Sequence, residues 1–145
     1  MINMLTDTGF LWGTQKTLQL MVEHGMTVYQ YIMSYTGSLS SGYPGGVAHG
    51  EELIYLFDPS QAPYNHTDPL PTADYEVTTY MTRAWVNFAR TGNPNLDWRP
   101  IHQEWEPCTK GQFPIPYLNI TGSDPSMGAS IEVGDRFQFW ENLLA

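Results

Sequence analysis

Positive charge is scarce in this chain. Six Lys plus Arg stand against fifteen Asp plus Glu, a formal net charge of −9 over 145 residues. Such a field repels a phosphate backbone, which argues against nucleic acid as a partner, and it suits solubility. Cysteine is scarcer still. Cys108 is the only one, so no disulfide closes within the chain, and it reads as a buried thiol or as the partner of a cysteine outside the chain. Long apolar runs are missing as well, and nothing approaches the roughly 20 residues that span a bilayer. The first residues, Met1-Ile2-Asn3-Met4-Leu5-Thr6-Asp7, lack the basic start and apolar stretch of a signal peptide.

Aromatic and apolar residues, in contrast, are plentiful. Apolar types make up 41% of the chain, with five Trp, nine Tyr and six Phe, enough to build a core and to argue against disorder. The length suits one domain over residues 1–145. Two sequons, Asn65-His66-Thr67 and Asn119-Ile120-Thr121, matter only in a secreted protein. Together they predict glycosylation at Asn65 and Asn119 and a secreted protein whose signal peptide lies upstream of this segment.

Periodicity predicts a helix from about Thr6 to His24, with Phe10, Thr14, Leu18, Met21 and Val22 near one face, Thr6 or Asp7 as its cap and Gly25 as its stop. The aromatic and β-branched run from Thr27 to Tyr35 predicts an inner strand. Residues 37–46 form a Gly/Ser loop, and Glu51 to Phe57 a short helix or turn. The prolines between Asp58 and Pro71 exclude regular structure there. The clearest helix spans Asp74 to Arg90, with Val77, Tyr80, Met81, Ala84, Trp85 and Phe88 on its core face, Asp74 as N-cap and Gly92 as stop. Pro94 and Pro100 hold an irregular segment around Trp98 and Trp105. Pro116 to Ile120 predicts an edge strand. A last helix from about Glu132 to Leu144 carries Val133, Phe137, Trp140 and Leu144. The order is that of an α/β protein, but two strands cannot cover these helices, so the sheet is expected to be incomplete within the chain and to leave apolar surface exposed.

The chemistry centres on Gly45-Gly46-Val47-Ala48-His49-Gly50-Glu51-Glu52-Leu53, with Tyr55-Leu56-Phe57 close behind. Small residues around His49 give its imidazole room to reach into a site. This turn resembles the one that carries the catalytic histidine of type-B carboxylesterases and cholinesterases. The likeness continues in order through Val28-Tyr29-Gln30-Tyr31, Ser34-Tyr35-Thr36-Gly37, Trp85-Val86-Asn87-Phe88-Ala89-Arg90-Thr91-Gly92-Asn93-Pro94-Asn95, Trp105, Tyr117-Leu118-Asn119-Ile120 and Arg136-Phe137 with Phe139-Trp140. The compact loops and paired sequons are most similar to those of insect-type secreted esterases. The resemblance implies the C-terminal portion of an α/β-hydrolase fold, hydrolysis of a small-molecule carboxylic ester, and no cofactor.

The resemblance also implies that His49 is the last member of a Ser-acid-His triad, in the chain order of α/β-hydrolases. A Gly-x-Ser-x-Gly elbow is absent from these residues, and Asp7 and Glu23 are the only acids before His49. Serine, acid and oxyanion-hole loop are therefore expected upstream, and the segment alone is expected to be inactive. Adhesion members of this superfamily such as neuroligins keep a His-Gly-acid-Glu turn while lacking the nucleophile, which makes a non-catalytic relative the competing reading. Glu52 reads as a structural acid bonded to loop backbone or a helix end. His24, His49, His66 and His102 have no zinc-ligand spacing. Tyr55 and Phe57 are candidates for a pocket border.

Overall fold

The computed structural model describes residues 2–61, 64–95, 103–112, 115–128 and 134–144. Trp98, Pro100, His102, Pro63, Glu132 and Val133 lie outside the described residues, as does the side chain of Leu144. Five α-helices and three short strands are present among the described residues: α1 (Ile2–Thr6), α2 (Trp12–Glu23), β1 (Tyr31–Met33), α3 (Glu52–Leu56), α4 (Thr72–Thr91), β2 (Tyr117–Ile120), β3 (Ser126–Gly128) and α5 (Gly134–Leu144), with a π-helical turn, Asp7–Leu11, joining α1 to α2. No described helix is long and apolar enough to cross a membrane. The chain divides into two compact units, one of residues 1–30, 106–118 and 127–145, the other of residues 31–105 and 119–126.

The strands hydrogen-bond in the order β1-β2-β3. Leu118 N–H donates to the Gln30 carbonyl at 2.8 Å, and Ser34 N–H to the Ile120 carbonyl at 2.9 Å. Donors and acceptors advance together along both segments, so β1 and β2 run parallel. Residues 121–125 are too few for a crossover, so β3 returns antiparallel to β2. The expected edge strand at 116–120 is thus the central one. Pro116 does not interfere because it precedes the first paired residue. β3, Ser-Met-Gly, lacks the β-branched and aromatic residues that mark strands. The expected strand at Thr27–Tyr35 is reduced to three residues plus an antiparallel bridge between Val28 and Cys108.

In the first unit, Val22, Val28, Cys108 and Ile115 form a buried cluster against which Leu18 and Met21 pack. The helix feeding it starts earlier than expected. Asp7 does not cap it but lies inside the π turn, 3% exposed, where Arg136 Nε reaches Asp7 Oδ2 at 3.2 Å and Trp140 Nε1 donates to the same oxygen at 3.5 Å. The buried stripe runs through Asp7, Gln15 and Val22, while Phe10 and Thr14 face outward. An apolar count misses a face of which two buried members, Asp7 and Gln15, are polar, and the π turn takes one residue more than 3.6-periodicity allows.

In the second unit, α3 packs on α4, and Val77, Tyr80, Met81 and Ala84 are buried as their spacing predicts. Phe88, on the same expected face, is 47% exposed; periodicity identifies a face and not how far its packing extends. Tyr31 meets Trp85 edge-on at 4.8 Å and Trp105 at 6.0 Å. Asn95 clamps Trp105 through two bonds of 2.9 Å, Nδ2 to the Trp105 carbonyl and Trp105 N–H to Oδ1. Gly92 ends α4 in the left-handed conformation, its N–H donating to Phe88.

Candidate active site

His49 sits on an exposed turn between β1 and α3. Two glycines shape that turn with left-handed backbones, Gly46 at φ 111° and Gly50 at φ 85°, which side chains with a Cβ adopt only under strain. The turn then winds directly into α3: Glu51 N–H donates to Ala48, Leu53 N–H to Gly50 and Ile54 N–H to Glu51, each at 3.2 Å.

Two carboxylates anchor the loop before it. Asp74, in the first turn of α4 and 1% exposed, accepts from the Tyr35 hydroxyl at 2.8 Å, from the Ser38 N–H at 3.2 Å and from the Ser38 hydroxyl. It is a tertiary anchor and not the expected N-cap; Pro71 occupies the cap position without a side-chain bond. Glu51, 6% exposed, accepts from the Ser41 N–H at 2.9 Å, from the Ser41 hydroxyl, and from the Ser40 hydroxyl at 3.3 Å. The role expected of Glu52 thus belongs to its neighbour. Glu51 begins the helix on its buried side, whereas Glu52 is half-buried and its charge bears on the Tyr31 phenol.

Burial alone would raise the Glu51 carboxyl, but hydrogen bonds from the Ser41 hydroxyl and backbone, the Ala48 backbone and the Ser40 hydroxyl outweigh it and hold it below its ordinary 4.5. The Tyr35 phenol is pushed up to about 12, first by burial and then by its bond to Asp74. Tyr55, a pocket candidate, is buried in edge contact with Tyr35 at 5.6 Å between ring centres. Its phenol is also raised, first by burial and then by the Asp74 charge, and its hydroxyl makes no hydrogen bond of good geometry among the described residues. Phe57, the other candidate, is 66% exposed. Gly37 lies where a Cβ would strike Asp74 Oδ1, the Tyr55 hydroxyl and, at 2.6 Å, Tyr35 Cε1, so only glycine fits the crossing of loop and anchor.

Ser38, Ser40 and Ser41 are therefore donors to buried acids. Both acids follow the loop in sequence, Glu51 ten residues after Ser41 and Asp74 thirty-six after Ser38, and no sequence signal pairs either with a serine. No group of three or more His, Cys, Asp or Glu side chains among the described residues could hold a metal ion. Cys108 is a buried free thiol, raised by that burial, with Sγ 3.3 Å from the Gln112 carbonyl. Asn65 is exposed in a turn with φ 53°. Asn119 lies within β2, and its carboxamide oxygen is occluded with no hydrogen-bond partner in the described structure.

Comparison with known proteins adds family evidence to this geometry. The family model described as the carboxylesterase family matches residues 1–140. Mouse bile salt-activated lipase is 30% identical over 141 residues, covering 93% of this chain and 22% of the lipase. Acetylcholinesterase 1 of Caenorhabditis elegans is 32% identical over 153 residues, covering 99% of this chain and 24% of that enzyme. The bovine bile salt-activated lipase is 28% identical, with 97% and 23% covered. The chain spans about a quarter of the length of the relatives it matches.

Proposed function

The chain belongs to the carboxylesterase family, and from that membership we propose that residues 1–145 form the C-terminal segment of a single α/β-hydrolase domain that hydrolyses carboxylic esters. His49 is the general base and then the general acid. Its imidazole takes the proton of a serine hydroxyl as that oxygen attacks the ester carbonyl, and returns it to the departing alcohol, leaving an acyl-serine. The same imidazole deprotonates the water that releases the acid. Serine, triad acid and oxyanion donors come from sequence N-terminal to this segment, following the chain order of the fold. The segment has no catalytic competence of its own.

The observation that supports this reading best is the exposed His49 on a turn held by two left-handed glycines and a buried acid. A loop histidine of merely local use needs no such support. The relatives' names, a lipase and an acetylcholinesterase, point to esters of different alcohols, so the proposal stops at carboxylic esters. Both sequons suit secretion, and Asn65 has the accessible side chain.

The test is hydrolysis of p-nitrophenyl acetate by the polypeptide at its native length, alone and as His49→Gln. Loss of at least about 10³-fold in kcat is expected for the variant, together with fluorophosphonate labelling of a serine outside these residues. Hydrolysis that survives His49→Gln would refute the role of His49. A native protein that is neither hydrolytic nor labelled would belong with the non-catalytic adhesion members.

A further inference from the structure

We propose that Glu51 is a positioning residue for His49: its buried carboxylate ties the serine loop to the turn and so sets the direction in which the imidazole leaves the backbone. The inference rests on the reading of His49 as the general base and adds to it. Residues 37–50 are a fourteen-residue connection with five glycines. Such a segment samples many conformations unless it is fastened, and a catalytic base works only when held close to its productive position. The loop is fastened at Ser38 by Asp74 and at Ser40 and Ser41 by Glu51.

Of these two acids, Glu51 bears directly on the turn. It lies two residues beyond His49, its own N–H closes the turn onto Ala48 at 3.2 Å, and its side chain reaches back to the other arm of the same loop. One residue thus links both arms of the loop that carries the base. A neutral amide in its place would present an N–H₂ toward donors that need acceptors, which breaks the link while keeping the shape. The loop side of the link is broken independently by removing the two serine hydroxyls.

The experiment uses the polypeptide at native length, labelled with ring-¹³C histidine, with His49→Gln to assign the signal. The wild type is expected to give one sharp His49 ring resonance. Glu51→Gln, and separately the Ser40→Ala/Ser41→Ala pair, should each shift and broaden that resonance. Each should also lower kcat for p-nitrophenyl acetate about 10- to 100-fold with KM within about twofold, and combining all three substitutions should be no worse than either alone. A folded Glu51→Gln protein with an unchanged resonance and unchanged kcat would overturn the proposal, as would full additivity. If Glu51→Gln does not fold, the serine pair decides by the same readouts. If the wild type does not hydrolyse the ester, the catalytic reading of His49 fails, while the ring resonance still decides whether Glu51 orients the turn.

Discussion

The two compact units bury carboxylates in different ways. In the unit bearing His49, Asp74 and Glu51 are surrounded by hydroxyl and backbone donors from residues 35–41, and both oxygens of each are engaged. In the helical unit, Asp7 meets a guanidinium and an indole at one oxygen, and the other has no hydrogen-bond partner among the described residues. Short donors fix a loop in one geometry, because Ser38 and Ser41 each offer a backbone N–H and a hydroxyl at nearly the same place. An arginine fastens one helix to another but tolerates movement, having a long stem and 45% side-chain exposure. The unit that carries His49 is the one with the stricter arrangement. The helical unit instead draws its hold from the apolar cluster around Ile115.

That contrast is sharpened by substitutions. Asp74→Ala should have the largest effect, about 4 kcal/mol in urea unfolding, since it strands the Tyr35 hydroxyl and the Ser38 N–H; a loss under about 1 kcal/mol would mean that water replaces the anchor. Ile115→Ala should cost about 3 kcal/mol by lost burial and a residual cavity, and a cost well below that would show the cluster collapsing around the gap. Glu51→Gln should cost about 1–2 kcal/mol at pH 7. Because the Glu51 carboxyl titrates below its ordinary 4.5, its contribution is fully present above that pH and is lost as pH falls through the folded-state value. The wild-type advantage over the variant should therefore shrink below about pH 4.5, and a difference constant down to pH 3 would contradict the assignment. Lys16→Ala, which removes a 3.0 Å pair with Glu141 at partly exposed positions, should change stability by less than about 0.5 kcal/mol.

How legible these features were depended on the kind of residue involved. α4 could be read almost to its ends, because Val77, Tyr80, Met81 and Ala84 recur at helical spacing and Gly92 stops it. The turn at His49 could be read from its glycines and its family likeness. The anchors could not. An acid three residues into a helix looks the same as an N-cap or a first-turn acid, and only the tertiary structure brings Asp74 to Ser38. Glu51 and Glu52 are adjacent and alike, and the choice between them was made by which side of the short helix faces inward. The strand order was hidden for a related reason. β2 becomes central only because three residues with no strand character, Ser126 to Gly128, pair beside it.

The π turn at Asp7–Leu11 has a consequence for how this gene can vary in length. An ordinary helix that loses one residue turns everything on one side of the loss by about 100°, so core helices rarely accept a single-codon deletion. A π turn already holds the surplus residue. Deleting Thr8 or Gly9 would let it close to α-helical winding while Asp7 kept its bearing toward Arg136 and Trp140, making this joint a place where the reading frame can lose three nucleotides and the helix keep both of its faces.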